Sequence, residues 1–283
     1  MSRYTSMKVG GPVRYLIYPR DENDLIEVIK ILKVEGIPWR MLGNGTNVIV
    51  SDKGLDEAVI KITRLKGFLI SEVQKGVTVR AAAGWSLKNL IFKIVNLGLS
   101  GLEKLYSIPG TLGGAVKMNA GSFGVSISDV VLSVTYLNCD AEKEKLSRES
   151  INFSYRSSPF LSDMCILDVE MALIPRTKTE IMSQIEFVLN ERKKRHPIDL
   201  PSAGSIFKAV NGVPAWRYIE RSGLKGLRIG DACVSEKHAN FIVNLGNATA
   251  QDIKLLIDKI KKEVYEKEGV ILEEEVELWG FDG

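Results

Sequence analysis

The sequence predicts an α+β fold, because segments with strand periodicity and segments with helix periodicity are mixed without strict alternation. The chain has 283 residues, which is enough for about two domains. Its composition, 45% hydrophobic and 26% charged, is that of an ordinary globular protein. We therefore expect sizeable buried cores.

Charge and apolar patterning argue against several classes of partner. The net charge of +3 is too small to indicate nucleic-acid binding by itself. No apolar run approaches the roughly 20 residues that span a bilayer, and the N-terminal MSRYTSMKVGG lacks the apolar core of a secretory signal. We expect a cytoplasmic protein with neither a nucleic-acid nor a membrane partner.

Cysteine and histidine usage argues against disulfide and metal chemistry. The three cysteines are far apart and form no C-x-x-C pair. The two histidines, His196 and His238, do not form an H-E-x-x-H pattern. The sequence therefore predicts no metal site.

The N-terminal part begins with a predicted helix in DENDLIEVIKILKVEG. Its apolar residues recur at helical spacing from Leu25 to Leu32, acidic residues lead it, and Gly36 ends it. AVIKI and GVTVRAAAG are predicted strands. Ser86 is expected to cap the next helix, SLKNLIFKIVNLG, which Gly98 ends.

A long helix is predicted to mark a domain boundary. It follows two strands, VVLSVTYLNCD and CILDVEMALIP, of which the second ends at Pro175. Thr179 is its expected cap, and Pro197 follows its end. The basic run Arg192–Arg195 near its end has two interpretations, a solvated helix terminus and the edge of a phosphate pocket.

The C-terminal part is predicted to contain two more helices and two strands. A short helix lies around PAWRYIERSG, and a strand runs from Phe241 to Asn244. Thr249 and Asp252 approximate a capping box before an amphipathic helix. The chain finishes with VILEEEVELWG, predicted as a strand with an acidic cluster.

Two loops rich in glycine and asparagine are candidates for holding a phosphate-bearing ligand. They are LGNGTNVIVSDKG, which starts at Leu42, and SIPGTLGGAVKMNAGSFG, which starts at Ser107. Gly43 and Gly45 let the backbone approach a ligand closely, and successive N–H groups can bind an anion. Neither loop matches G-x-G-x-x-G or contains G-K-[ST], so ordinary tight turns remain the alternative.

Ser205, within PSAGSIFKAV, has several roles open to it. It could be a nucleophile, a phosphate ligand, a proton donor or a turn residue. The nucleophile role lacks the G-x-S-x-G pattern that usually exposes a catalytic serine. The residues alone favour a turn.

Several motifs taken together resemble a known family. LGNGTNVIVSD is similar to the L-G-x-G-[ST]-N signature of flavoproteins of the vanillyl-alcohol-oxidase type, and IPGTLGGAVKMNAGSFG resembles their second flavin loop. YRSSPF, SAGSIFK, SEKHANFIVN and LEEEV then occur in the order seen in the UDP-N-acetylenolpyruvoylglucosamine reductase family. The chain resembles its smaller subtype, which lacks a tyrosine-bearing insertion.

The resemblance implies a two-lobed FAD-binding region of vanillyl-alcohol-oxidase type, followed by an α+β substrate domain. We expect the FAD-binding region at 1–178, with its lobes split near 60–70, and the substrate domain at 179–283. The last strand is expected to return toward the FAD-binding region. FAD is the implied cofactor and NADPH the implied hydride donor. The implied substrate is a UDP-sugar enolpyruvyl ether. We expect the protein to be a monomer.

The resemblance also assigns the cofactor residues. Both loops would contact FAD through backbone and short side chains. The assigned residues are Leu42, Gly43, Asn44, Gly45, Thr46 and Asn47 in the first loop, and Ile108, Pro109, Gly110, Thr111, Gly113, Gly114, Asn119, Ala120 and Gly121 in the second.

Three catalytic residues follow from the same motifs. Arg156 in YRSS would bind the substrate carboxylate, for which a planar guanidinium is well suited. Ser205 would give a proton to the carbanion that hydride addition creates. Glu275 in LEEEV would lie near the reacting end of the substrate in its protonated form, which requires a raised pKa. Glu273 and Glu274 are the nearby alternatives.

The nucleotide end of the substrate needs cations and hydrogen-bond donors. The candidates from the matching segments are Tyr155, Arg195, His196, Lys208, Lys237, His238 and Asn240. The family often has F-K-N-P after the serine, whereas this chain has Ala209 and Val210 in place of the asparagine and proline. Two other functions remain open, a flavoprotein oxidase and a nucleotide-sugar-binding protein without turnover.

Overall fold

The structure, a computed structural model, describes residues 1–73 and 76–281. Within that part of the chain, strands and helices alternate irregularly, as the α+β prediction requires. The strands are β1 Val13–Ile17, β2 Trp39–Leu42, β3 Val48–Val50, β4 Leu55–Lys61, β5 Phe68–Val73, β6 Gly76–Ala82, β7 Leu99–Ser100, β8 Gly121–Ser122, β9 Val125–Ser126, β10 Val131–Leu137, β11 Lys143–Ser147, β12 Cys165–Pro175, β13 Ser202–Ser205, β14 Arg228–Ile229, β15 Ala232–Val234, β16 Phe241–Asn244 and β17 Glu277–Trp279. The helices are α1 Glu22–Val34, α2 Leu87–Asn96, α3 Leu112–Lys117, α4 Lys178–Arg195, α5 Ala215–Arg221 and α6 Ala250–Glu268.

The chain divides into two compact units, each built from separate stretches of sequence. The first unit comprises Met1–Val13, Gly45–Asp56 and Arg192–Gly283, and the second comprises Arg14–Asn44 and Glu57–Glu191. The predicted FAD-binding region 1–178 and substrate domain 179–283 remain a prediction, because backbone compactness alone assigns no function to a unit.

The second unit holds two sheets over one apolar core. Its three-stranded sheet has the order β1-β4-β2, and its six-stranded sheet runs β11-β10-β12-β6-β5, with β7 pairing to β12. The long strands alternate inward and outward side chains, so that the residues of β12 from Val169 to Leu173 bury every second side chain. Leu25, Ile29 and Leu32 of α1 pack into the same core.

The first unit is built on an antiparallel sheet in the order β13-β16-β15-β14. Helix α6 lies against β14, β15 and α5, with its apolar stripe in the core. Strand β17 pairs in parallel with β3, so that the last strand joins the segment after the first glycine loop. This arrangement brings residues from both ends of the chain into one core.

Helix ends follow their capping residues. The Asp21 carboxylate accepts a hydrogen bond from the backbone N–H of Asp24 at the start of α1. The Thr249–Asp252 capping box of α6 is confirmed, and Gly269 ends that helix with φ +66°. Ser86 occupies the cap position of α2, but its side chain makes no capping hydrogen bond.

Two predicted elements are wrong in detail. Helix α4 begins before Thr179, because Thr177 is the residue whose hydroxyl accepts from the N–H of Glu180 and donates to its carboxylate. The segment VILEEEVELWG is a strand only at Glu277–Trp279. Its acidic cluster instead forms an isolated bridge, from Glu274 to Phe207.

In the part of the chain that the structure describes, no helix is long and apolar enough to cross a membrane.

Candidate active site

The two predicted flavin loops meet in the second unit. An added Cβ on Gly43 would lie 2.4 Å from Oγ1 of Thr111, so only glycine allows this approach. Next to it, the Asn44 amide donates to the Gly110 carbonyl at 3.2 Å. Loops that are far apart in sequence therefore form one surface of backbone and short polar side chains.

The remaining part of the first loop belongs to the first unit. Gly45 has φ +63°, and a Cβ there would lie 2.2 Å from the Tyr4 carbonyl oxygen. Asn47 donates from Nδ2 to the Glu275 carbonyl at 3.0 Å. The amide of this predicted cofactor residue thus fixes the backbone of a predicted catalytic residue.

The second loop surrounds the short helix α3. Thr111 caps α3 by accepting from the N–H of Gly114, and a Cβ on Gly113 would lie 2.9 Å from the Cβ of Ala83. After α3, Asn119 takes up a left-handed conformation with φ +40°. The other assigned residues lie around the same helix, Ile108, Pro109 and Gly110 before it and Ala120 and Gly121 after it.

Two buried polar atoms in this second loop lack a partner. Among the residues that the structure describes, Oδ1 of Asn119 and Oγ of Ser107 are buried without a hydrogen bond. The other end of the Asn119 amide donates to the Ser154 carbonyl at 2.9 Å. Because buried polar groups are nearly always hydrogen-bonded, such atoms are expected where a ligand completes the site.

Arg156 is tied to the second loop by its own side chain. Its Nη2 donates to the carbonyl of Gly121 at 3.2 Å, and its guanidinium carbon lies 5.1 Å from the ring centre of Tyr155. Its backbone has φ +54°, in a tight turn closed by the Ser154–Ser157 bridge. A non-glycine residue seldom adopts this conformation, and such strain is often found at functional sites.

Ser205 lies at the end of β13, beside an irregularity in the strand pairing. Ser202 pairs with Val243 and Ser205 with Phe241, so that one extra residue of β13 is accommodated between them. Gly204 in this bulge has φ +82°. A bulge changes the direction of the side chains that follow it, and Ser205 is the residue directly after Gly204.

Asn240 fixes the segment after Ser205. Its side chain accepts from the N–H of Phe207 at 3.0 Å and donates to the carbonyl of Phe207 at 2.8 Å, while its own carbonyl accepts from the N–H of Ile206. Asn240 is buried. These bonds give Asn240 a positioning role, and its predicted contact with the substrate stays a prediction.

The acidic cluster runs alongside the same segment. The N–H of Glu275 donates to the carbonyl of Ile206 at 2.7 Å, and the N–H of Lys208 donates to the carbonyl of Glu273 at 2.9 Å. The carboxylate of Glu274 forms an ion pair with Lys261 of α6 at 2.9 Å, and Glu273 pairs with Lys208 at 3.4 Å. The carboxylates of Glu273 and Glu274 are therefore each paired with a lysine of the first unit.

The two histidines form a stacked pair. The rings of His196 and His238 lie 4.9 Å apart at 15°, and the ring of Phe241 contacts both edge-on. Burial, with the nearby Arg192 charge, lowers the pKa of His196 to about 4. Burial also lowers the pKa of His238 to about 4. Both imidazoles are therefore neutral at pH 7.

The other nucleotide candidates are more exposed. Tyr155 is 56% exposed. Arg195 is the exposed last residue of α4, and the Lys237 ammonium donates to the Lys193 carbonyl at the same helix end. Their contacts with a substrate stay predictions.

Sequence reasoning missed Lys61, the last residue of β4. Its ammonium donates to the Gly43 carbonyl at 2.6 Å, and the residue is only 9% exposed. The signal is present in the sequence, since Lys61 interrupts the continuous apolar run Ala58–Ile62.

Comparison with known proteins identifies the family. A family described as an FAD binding domain matches residues 13–147, and one described as the C-terminal domain of UDP-N-acetylenolpyruvoylglucosamine reductase matches residues 196–279. A UDP-N-acetylenolpyruvoylglucosamine reductase from Syntrophus aciditrophicus is 43% identical, over 100% of this chain and 91% of the relative. This chain belongs to the UDP-N-acetylenolpyruvoylglucosamine reductase family.

Other relatives agree along the whole length of the chain. The reductase from Thermotoga maritima is 44% identical, over 99% of this chain and 96% of the relative. The crystal structure of the reductase from Thermus caldophilus has a TM-score of 0.83 and 36% identity, over 98% of this chain and 96% of that one. These matches confirm the predicted fold, an FAD-binding region of vanillyl-alcohol-oxidase type followed by an α+β domain.

The residues of the second unit fit an FAD molecule. The match to an FAD binding domain covers β1 through β11 and includes both glycine loops. Gly43 and Gly113 leave no room for larger side chains, while Asn119 and Ser107 present buried polar atoms that lack partners among the described residues. A bound FAD would offer hydrogen-bonding groups to these two atoms.

Proposed function

We propose that this chain is an FAD-dependent oxidoreductase that uses NADPH to reduce UDP-N-acetylglucosamine enolpyruvate to UDP-N-acetylmuramate, a step of peptidoglycan synthesis. The observation that carries the proposal is the backbone bonding between the Ser205 and Glu275 segments. This bonding places the SAGSIFK and LEEEV motifs side by side, and an FAD-binding fold in general requires neither motif. The full-length similarity to named reductases supports the same function.

The residues of the chain handle charge and protons, while the bound cofactor supplies the hydride that NADPH provides. Hydride addition to the enolpyruvyl double bond leaves negative charge on the carbon beside the carboxylate, and this charge spreads into the carboxylate. Arg156 is proposed to bind that carboxylate through its two-pronged guanidinium. Such fixed electrostatic contacts lower a barrier by roughly 3–4 kcal/mol each.

Ser205 is proposed to deliver a proton from Oγ to the carbanion. A serine hydroxyl is a weak acid, so it acts here by position and because the carbanion is strongly basic. The bulge at Gly204 and the Asn240 bonds support this role, since they fix the backbone on both sides of the hydroxyl. Glu275 is proposed to donate a hydrogen bond to the developing enolate in its protonated form.

The nucleotide end of the substrate is proposed to be held by cations of the first unit. Arg195 and Lys237 lie at the C-terminal end of α4, and Lys208 lies in the segment that follows Ser205. Cations and donors of this kind suit a diphosphate. We propose that the partner is this small molecule alone, and that the enzyme works as a monomer in the cytoplasm. Light scattering on the purified protein tests the monomer.

A stopped-flow experiment that follows flavin colour tests the function. The purified protein is expected to be yellow, to bleach with NADPH, and to regain its colour when the enolpyruvyl nucleotide is added without oxygen. Fast reoxidation by oxygen with no response to the enolpyruvyl nucleotide would instead indicate an oxidase. Tight UDP-sugar binding without NADPH consumption would indicate a binding protein.

A further inference from the structure

Lys61 is a buried cation at the point where the two flavin loops meet. It ends β4, opposite Leu42 in the parallel pairing of β2 and β4. Its ammonium donates to the carbonyl of Gly43 at 2.6 Å, and Gly43 in turn packs against Thr111 of the second loop. The charge therefore lies at the base of the first loop.

The charge of Lys61 has no acidic partner among the residues that the structure describes. The bond to Gly43 uses one of its three N–H donors, and none of the ion pairs of the described chain includes it. Burial alone lowers the pKa of Lys61, with no contribution from a neighbouring charge. A buried ammonium without an anion is costly, and buried charges are normally paired.

A neutral residue would be expected here if the only task were to support the loop. The neighbouring positions of β4 show this, since Val59, Ile60 and the following Ile62 are buried apolar residues. An anionic ligand accounts for the lysine, because the ligand supplies the missing counter-charge. The diphosphate of FAD is the permanent anion of the proposed cofactor.

We propose that Lys61 is the buried counter-charge of the FAD diphosphate, and that its unpaired burial makes the flavin-free protein less stable than a neutral residue would. The inference rests on the proposed function, because it requires FAD at the Gly43 loop. Lys61 acts as a cofactor-binding residue, and the Gly43 carbonyl orients its ammonium.

The experiment compares FAD affinity and thermal stability in four variants. FAD is removed from the purified protein, and rebinding is followed by flavin fluorescence, while melting is measured with and without FAD. Lys61→Met removes the charge and the donor, Lys61→Gln keeps a donor without charge, and Lys61→Arg keeps the charge. Lys66→Met is the control, since the Lys66 ammonium donates to another glycine carbonyl, that of Gly84, at 2.8 Å.

Lys61→Met and Lys61→Gln are expected to weaken FAD binding by about 10- to 100-fold, the loss typical of one charge-assisted contact. Their flavin-free forms are expected to melt at or above the wild-type temperature, because an unpaired buried charge is gone. Lys61→Arg is expected to recover most of the affinity, and Lys66→Met to bind FAD like wild type.

Three results would overturn the proposal. Wild-type affinity in Lys61→Met shows that the lysine does not bind the cofactor. Wild-type affinity in Lys61→Gln shows that the hydrogen bond to Gly43 matters and the charge does not. A lower melting temperature of flavin-free Lys61→Met shows that the lysine supports the fold. Failure of the wild-type protein to bind FAD would refute the proposed function instead, so the two failures are distinguishable.

Discussion

The Arg156 turn and the Ser205 segment differ in what holds them. Arg156 stands on a strained backbone with φ +54°, and its own guanidinium makes the contacts with Gly121 and Tyr155. The Ser205 segment is held through main-chain bonds and the Asn240 amide, none of which uses the Ser205 hydroxyl. The Arg156 side chain therefore serves structure and proposed function together, whereas the Ser205 hydroxyl is free of these structural bonds.

The largest effect is expected at Ser205, where a substitution can remove the proposed proton donor and leave the structure intact. Ser205→Ala should keep flavin reduction by NADPH and lose about 10²- to 10⁴-fold in flavin reoxidation by the enolpyruvyl substrate, because only the second half-reaction needs the proton. Stopped-flow absorbance measures each half separately. Melting temperature should stay unchanged, since the Asn240 bonds do not involve the hydroxyl.

Ser202→Ala is the matched control for Ser205→Ala. Ser202 lies in the same strand, β13, and its backbone carbonyl, which the substitution leaves in place, accepts a hydrogen bond from the Ser6 hydroxyl. Equal losses in both half-reactions of Ser205→Ala would contradict a proton-donor role and indicate a structural one.

A smaller effect is expected at Arg156, where structure and function cannot be separated by removing the charge. Arg156→Lys keeps the charge but loses the planar fork, so turnover should fall by about 100-fold with the enolpyruvyl substrate. Steady-state kinetics measure it. Arg148→Lys is the control, because the Arg148 guanidinium also lies over a ring, that of Phe153 at 5.1 Å, and donates to a carbonyl. Near-normal turnover in Arg156→Lys would exclude two-pronged carboxylate binding.

Local patterns of the sequence predicted most elements, because capping and periodicity act over a few residues. The Thr249–Asp252 capping box and the strand from Phe241 to Asn244 are both confirmed. The cap of α4 was wrong, because in T-K-T-E the spacing to Glu180 selects Thr177 over Thr179. The same rule that found one capping box could have found the other.

Long-range pairings could not be predicted from periodicity. Glu275 lies in an acidic run with strand alternation, yet its segment bonds to Ile206 and makes only an isolated bridge. The site itself was reached through motifs of a family, since a single Ser205 or Arg156 has no distinguishing pattern. The position of Lys61 beside Gly43 could not be predicted, because it depends on the pairing of β2 with β4.

Acid is expected to weaken the Ser205 segment and spare the Arg156 turn. Phe241 pairs with Ser205 in the sheet and packs on both imidazoles, whose pKa values are lowered to about 4. In the unfolded chain the two histidines bind protons at a higher pH, near 6.5, than in the folded protein. The free energy of unfolding therefore decreases as the pH falls from 6.5 toward about 4. Urea unfolding at pH 7 and pH 5 measures the loss.

His238→Phe is the variant that isolates this effect, since it keeps a ring in the stack. It should lose about 1–2 kcal/mol less free energy of unfolding between pH 7 and pH 5 than wild type. An identical loss in the variant would show that carboxylates, and not the stacked histidines, set the acid sensitivity of this unit.

The smallest effect is expected at Ala209, where the Ser205 segment departs from the family pattern. The chain turns back directly after it, through a hairpin closed by Val210 and Val213, with Asn211 at φ +50° and Gly212 at φ +77°. Ala209→Asn should tighten binding of the UDP-sugar substrate by up to about tenfold, the worth of one neutral hydrogen bond. Ala209→Leu, which adds similar bulk without an amide, is the control, and isothermal titration measures both. Unchanged affinity in Ala209→Asn would mean that backbone N–H and C=O groups already make the hydrogen bonds that the nucleotide needs at this position.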